Sequence, residues 1–468
     1  MMYLIQCSAR TEAFENSLHK IDPKKKITKI AKEDLCSLLK DPNPYLSQST
    51  NSTHESQIEE DSTSEEKYEG LLMENDPLIE KKKNTIMINV EKNHDMCNLY
   101  LGKIGRNAYF INLVVFLLLT VMSYSAVFGS SLSTLFPIKS ITKGDSCIID
   151  EKFTSNCQHN YLVYVCIYAC IVVPFSCLDL PEQKIIQILL CIFRFLSIGA
   201  IIVTTLVGIY RPNSQQDNND PPHIAPGSKL FKLNGLYLIF TASIFVQVIH
   251  HSVTIISEGI PDKSKLRFSF TSSLTTTLLL YTLVGTVCSL YFGKNTKTVI
   301  TLNWLDYTAN YKNAPVWASI IKYIIILFPM LDLISIFPLK IVTLGTGMQS
   351  FFYPQTIGKT DLKSKLIKIA FRLVSSLPPI IGSMFVKKLP LIIFFIGITG
   401  CFIGFIFPSL LQYKSGKLSK QIYNTDKTPY SDFSSSDKFS ISFCIFGVFC
   451  LICSMCSSIY STVIEYEN

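Results

Sequence analysis

The chain has 468 residues, of which 48% are hydrophobic and only 17% charged, with a formal net charge of +8. A soluble chain of this length carries roughly a quarter of its residues as charges, so the composition excludes a soluble enzyme, an extracellular disulfide module and a disordered scaffold as the main body. With 31 Phe, 22 Tyr and a mean hydropathy of +0.31, lipid is the expected solvent for much of the chain. The basic residues are dispersed among loops and form no stripe, so they read as membrane-flanking charges, and no nucleic acid partner is expected.

Residues 1–105 form the first block. A short apolar start, Met1 to Cys7, gives way to Lys24-Lys25-Lys26, a Ser/Glu-rich stretch from Ser56 to Glu69, and Lys81-Lys82-Lys83. Beyond the start there is too little apolar pattern to offset ordering entropy, so most of the block is expected to be a disordered cytosolic tail. It is not a signal peptide, because the apolar stretch is too short and no small-residue cleavage site follows it. Tyr68-Glu-Gly-Leu71 fits a tyrosine-based sorting signal and Glu74-Asn-Asp-Pro-Leu78-Ile79 an acidic dileucine signal, which together point to an endolysosomal address, with the plasma membrane as the alternative. The sequon Asn51-Ser-Thr53 falls on the cytosolic side and is expected to be unused.

From residue 106 the chain becomes a series of apolar runs, expected near 109–136, 161–180, 185–210, 233–257, 268–292, 316–342, 366–386, 389–412 and 440–464. Each approaches the ~20 residues needed to cross ~30 Å of hydrocarbon as a helix. Backbone groups in lipid must be satisfied within the segment, which leaves helices as the only reading. The expected architecture is an all-α, polytopic membrane bundle of about nine spans over residues 106–468. The Lys/Arg bias near span ends places the tail and the loops carrying Lys263/Lys265/Arg267, Lys359/Lys363/Lys365 and Lys414/Lys417/Lys420/Lys427 inside. Alternation then puts the loop after the first span outside or in a lumen. It carries Cys147 and Cys157 in polar surroundings, where a disulfide is expected. Most of the other thirteen of the 15 cysteines lie in apolar runs and behave as small apolar residues; Cys450, Cys453 and Cys456 have metal-knuckle spacing but no His or carboxylate beside them.

Ionisable groups at membrane depth are costly and are functional candidates by default. The run 233–257 carries Gln247, His250 and His251 with Thr241 and Ser243, a set suited to a cavity lined by an unwound helix. Adjacent histidines point ~100° apart on a helix, so at most one faces a site directly. In the run 316–342, Asp332 lies between Pro329 and Pro338, where the helix is expected to be kinked or broken, and it is the candidate ion-coupling group; an internal ion pair is the alternative. Lys340 reads as a snorkelling residue, Arg194 as a structural buried charge paired with carbonyls or a carboxylate, and Arg372 with Lys368 as interfacial anchors. Pro378-Pro379 is expected to interrupt its span, and Gly397, Gly400 and Gly404 have the spacing that lets helices approach closely. No P-loop, kinase set, HExxH or nucleophile elbow is present, so enzymatic chemistry and cofactors are not expected.

From about Arg106 onward the chain resembles the transmembrane protein 104 group of the amino acid/auxin permease family. The resemblance is carried by Lys184 with Gln187-Ile188-Leu189 and Arg194, Pro221-Pro222-His223, Gln247 to Ser252, Thr301-Leu302-Asn303, Leu327-Phe328-Pro329 through Phe337-Pro338, Val342-Thr343-Leu344, Pro378-Pro379, and Gly397-Ile398-Thr399-Gly400 with Pro408. It implies an inverted-repeat fold of eleven helices with helices one and six broken around a midplane site. Met1 to Phe14 is similar to the tail of family helix two, so helix one and most of helix two are expected to be missing. The histidine span then corresponds to helix six, with His251 matching the family histidine and Thr254 standing where the family has a proline.

Residues and resemblance together predict a secondary transporter of amino acids or similar small solutes, coupled to H+ or Na+ and embedded in lipid. Substrate contact is expected from His251, His250, Gln247, Thr241 and Ser243. The alternative is a membrane sensor or scaffold built on the same fold.

Overall fold

The computed structural model describes residues 2–21, 91–142, 147, 155–178, 180–210, 236–253, 257, 260, 265–297, 299–309, 315–357, 359, 361–386, 389–428 and 430–467. The sequon at Asn51, both sorting signals, the two triple-lysine runs, Pro221-Pro222-His223, Thr254 and Lys263 lie outside these residues.

All regular structure among the described residues is helical. In chain order the helices are α1 (Met2–Ile21), α2 (Glu91–Leu135), the short α3 (Lys139–Thr142), α4 (Ser155–Cys177), α5 (Leu180–Tyr210), α6 (Leu236–Gln247), α7 (Leu266–Phe292), α8 (Val316–Phe352), α9 (Leu362–Phe385), α10 (Leu389–Cys401), α11 (Phe407–Tyr423) and α12 (Asp437–Glu467). A π-helical turn, Phe402–Ile406, joins α10 to α11, so the two form one long span. Among the described residues, eight segments are long and apolar enough to cross a membrane, each overlapping one expected run. The ninth run, 233–257, is the exception: its helix ends at Gln247, and a 3-10 turn, His250–Ser252, follows. The chain is a multi-pass integral membrane helical bundle.

The first block is more ordered at its ends than its composition predicts. α1 continues to Ile21, well past Phe14, and α2 begins at Glu91, before residue 106. The apolar pattern is short but is used fully: Cys7, Phe14, Met96, Cys97 and Tyr100 are buried in one cluster with Leu411 and Leu418 of α11. α2 turns at Gly102, whose φ of 74° is open to glycine at little cost. The α1 contact is sealed by polar groups. Arg10 Nη1 donates to Gln412 Oε1 (3.0 Å) and Ser415 Oγ (2.8 Å), its Nη2 donates to the Asp426 carbonyl (2.6 Å), and Gln412 Nε2 donates to Gln6 Oε1 (2.8 Å).

α2 is the central strut. Its first half shares the α1, α6, α10 and α11 cluster, while Val121 and Phe128 belong to a second cluster with Tyr161 and Tyr168 of α4, Ile325 and Phe337 of α8, and Ile380 of α9. Several interior hydroxyls return to their own helix: Thr120 donates to the Phe116 carbonyl (2.7 Å) and Ser176 to the Val172 carbonyl (2.7 Å), so these enter lipid depth satisfied.

The expected breaks at proline do not occur. α8 runs unbroken through Pro329 and Pro338, and α9 through Pro378 and Pro379. A proline removes one donor, but neighbouring helices can satisfy the carbonyls it frees. Beside the Ile334 carbonyl, which Pro338 leaves without its helical donor, Tyr168 of α4 donates to the Leu333 carbonyl at 3.0 Å and ties this turn of α8 to its neighbour.

Candidate functional site

The break after Gln247 occurs without proline or glycine. Val248 still donates to the Ile244 carbonyl (3.0 Å), but Ile249 reaches back to the Gln247 carbonyl (3.1 Å), and Ser252 then donates to the Ile249 carbonyl (2.9 Å). The neighbouring α10 lies close along the helix that leads to the break. A Cβ on Gly397 would lie 2.3 Å from Thr241 Cβ, one on Gly400 3.1 Å from Ile244 Cγ2, and one on Gly404 3.3 Å from Val248 Cγ2. The glycine stripe read from sequence is therefore the seat of α6, and it continues through the π-helical turn to the break. π-helical turns are common at functional sites.

His251 is buried at the break, only 4% exposed. Its Nε2 lies 3.2 Å from Lys340 Nζ on α8, and its ring is tilted against Phe116 of α2 with centroids 5.7 Å apart. His250 is half-buried, with a buried Nδ1 that makes no hydrogen bond and a ring beside Gly404. Gln247 is half-buried at the last helical position. Two of the five substrate candidates are not brought to this point. Thr241 packs against Gly397, and Ser243 is on the exposed face of α6. Both precede the break by more than a turn, where the helix is still regular and its faces are used for packing and lipid.

The structure also revises the reading of Lys340. The run 316–342 ends just past it, which suggested a side chain reaching for the interface. α8 instead continues to Phe352, through Leu344, Gly345, Gly347 and Met348, so Lys340 is interior to the helix and turns toward His251. The available signal was the apolar and small-residue character of 341–352, weaker than that of the run before it.

Asp332 occupies a separate place. Arg194 Nε donates to its Oδ1 at 3.2 Å, and Arg194 Nη2 bonds the same oxygen. The side chains are 37% and 15% exposed, with Tyr124 and Tyr281 within electrostatic range. The internal ion pair, the alternative for Asp332, and the carboxylate partner, one option for Arg194, are thus the same contact. Arg372 is not an interfacial anchor: only 2% exposed, it donates from Nη1 to the Cys177 (2.8 Å) and Leu178 (3.1 Å) carbonyls, capping the end of α4. Cys147 and Cys157 are joined in a disulfide with Cα atoms 5.3 Å apart, tying the loop after α3 to the start of α4.

A bundle of membrane-length helices with one span broken over a glycine-seated contact resembles a transporter scaffold, and comparison with known proteins decides the family. Residues 89–460 match the family model described as transmembrane amino acid transporter protein. The chain belongs to this family. Among curated members it is similar to the transmembrane protein 104 homolog of Dictyostelium discoideum, 25% identical over 76% of this chain and 69% of that protein. It is also similar to the Drosophila melanogaster homolog, 22% identical over 72% and 68%. Human transmembrane protein 104 is 22% identical over 68% of this chain and 62% of its own length. The match to the family begins at the foot of α2 and takes in the break, Lys340 and the Arg194–Asp332 pair.

Proposed function

We propose that this chain is a secondary transporter of amino acids or similar small solutes, coupled to an H+ or Na+ gradient, working on the inverted-repeat scheme of its family. The observation that carries the reading is the interruption of α6 after Gln247, because a break at membrane depth frees backbone donors and acceptors that a small zwitterion can use. Membership of the transmembrane amino acid transporter family supports the solute class. His251, His250 and Gln247 are the substrate-facing candidates on this scheme.

The test is flux. In proteoliposomes containing the full chain, labelled amino acids are expected to exchange, and to accumulate when a proton or sodium gradient is imposed. Absence of flux for every amino acid under either gradient would overturn the reading, and ligand binding without flux would favour a sensor or scaffold. On this reading the chain acts at the plasma or endolysosomal membrane; imaging a tagged chain with Leu78 and Ile79 replaced by Ala separates the two.

A further inference from the structure

Lys340 and His251 are a pair of bases inside the bundle. No described carboxylate forms an ion pair with Lys340: Asp332 on the same helix is held by Arg194, and Asp426, Asp432 and Asp437 pair with Lys420 or Arg267 at the bundle end. At a separation of 3.2 Å, two cations in a low-dielectric interior repel strongly, so double protonation is disfavoured. The uncharged pair suits its surroundings. One added proton is stabilised by an N–H···N hydrogen bond between Nζ and Nε2, and a charge-assisted bond is about twice as strong as a neutral one. The pair therefore has two accessible states that differ by one proton, and its titration belongs to both residues together.

Its position gives that proton a consequence. His251 lies in the 3-10 turn just beyond the break, whereas Lys340 is on the continuous α8. The strength of their bond sets how firmly the second half of the broken span is tied to α8.

Among the described residues, the other charged and titratable groups on the elements around them have contacts of their own. α2 presents the Phe116 ring to His251, and its Tyr124 stands near Asp332. Tyr168 of α4 donates to the Leu333 carbonyl, Arg194 of α5 is held by Asp332, and Arg372 of α9 is turned to the carbonyls ending α4. The π-helical turn Phe402–Ile406 and the Ile300–Trp304 and Pro354–Thr356 turns carry no titratable side chain. His250, next in sequence, turns toward Gly404.

We propose that Lys340 and His251 form the proton-coupling site of this transporter, taking up one proton from water on one side, releasing it on the other, and so fixing H+ as the coupling ion. The step makes and breaks only N–H bonds. It rests on the transporter reading and deepens it, with Asp332 assigned to structure.

The experiment uses the full chain in sodium-free proteoliposomes with a labelled amino acid mixture. Wild type is expected to accumulate label several-fold under an inward acid gradient and to exchange it at a rate that varies with pH. Lys340→Met and Lys340→Arg are both expected to lose the gradient response and to show residual exchange that is flat with pH; Arg keeps a fixed charge for folding but does not release a proton. Variants that retain the wild-type pH slope, or a wild type that accumulates label only when a sodium gradient is supplied instead of the acid gradient, would overturn the proposal. Nitrogen-15 histidine spectra of the purified chain give a readout independent of flux. The His251 titration is expected to move by about one pH unit or more in Lys340→Met, and an unmoved curve would overturn the pairing even if wild type transports. A wild type that moves no amino acid in any mode refutes the transporter reading instead.

Discussion

Asp332 and Lys340 stand eight residues apart on α8, yet Asp332 faces α5 and is neutralised by the Arg194 guanidinium, while Lys340 faces the turn beyond α6 and meets the His251 imidazole. Both contacts place ionisable groups at membrane depth, where an uncompensated charge costs several kcal/mol. The first compensates with an opposite charge and has no reason to change state. In the second, no described carboxylate pairs with Lys340, and the contact reaches neutrality by losing a proton. Burial alone therefore does not mark a functional ionisable group in this bundle; the sign of its partner does.

The largest expected effect breaks the comparison on the structural side. Arg194→Leu or Asp332→Leu leaves one charge uncompensated and is expected to cost about 3–5 kcal/mol, read as a lower unfolding midpoint in detergent. The double replacement removes both charges and is expected to recover most of that loss. Lys340→Met leaves a neutral imidazole behind, and its midpoint is expected to fall far less than that of either single variant. If Lys340→Met proves as destabilising as Arg194→Leu, the two contacts are alike and the distinction fails.

A smaller effect sharpens the functional side, because the place of His251 depends on how α6 sits on α10. Gly397→Ala adds a Cβ that would lie 2.3 Å from Thr241 Cβ and 2.6 Å from Thr241 Cα, so backbone must move, at a cost of about 1–3 kcal/mol for overpacking. Displacing α6 is expected to weaken the Lys340 contact with little effect on the Arg194–Asp332 pair. Nitrogen-15 histidine spectra of Gly397→Ala check this through the His251 signal, and an unchanged signal would show that the turn is held independently of the glycine seat.

Much of the architecture was legible because lipid imposes a length on every crossing: the runs at 185–210 and 268–292 reappear as α5 and α7 with ends shifted by a few residues. Pro329, Pro338, Pro378 and Pro379 misled for a tertiary reason, since a helix can run on through proline when its neighbours hold the turn, as Tyr168 of α4 holds α8 at Leu333, and no local pattern reveals such a neighbour. The histidines were visible as polar residues in an apolar run. Their partner was not, because Lys340 appeared to lie at a span end until α8 was seen to continue to Phe352. Thr241 and Ser243 shared the run with His251, but sequence proximity did not distinguish a residue before the break from one after it.

Asp361 offers the same comparison outside the membrane, where the expected effect is smallest. It caps the start of α9: Ser364 Oγ donates to Oδ1 at 2.8 Å and the Ser364 backbone N–H to Oδ2 at 3.3 Å. The Ser364 hydroxyl first, then backbone N–H groups and the charge of Lys359, hold the carboxyl below the ordinary carboxylate range. The folded chain thus binds this proton less readily than the unfolded chain. The contribution is fully present above the unfolded pKa of about 3.9 and is lost as pH falls through the lower folded value. Asp361→Asn keeps an equally good cap without the titration, so its unfolding midpoint is expected to match wild type at pH 7 and to decline slightly less between pH 4 and pH 3. If the two variants decline together, the acid sensitivity lies elsewhere, and Asp332, whose protonation would break the ion pair with Arg194, becomes the carboxylate to replace next.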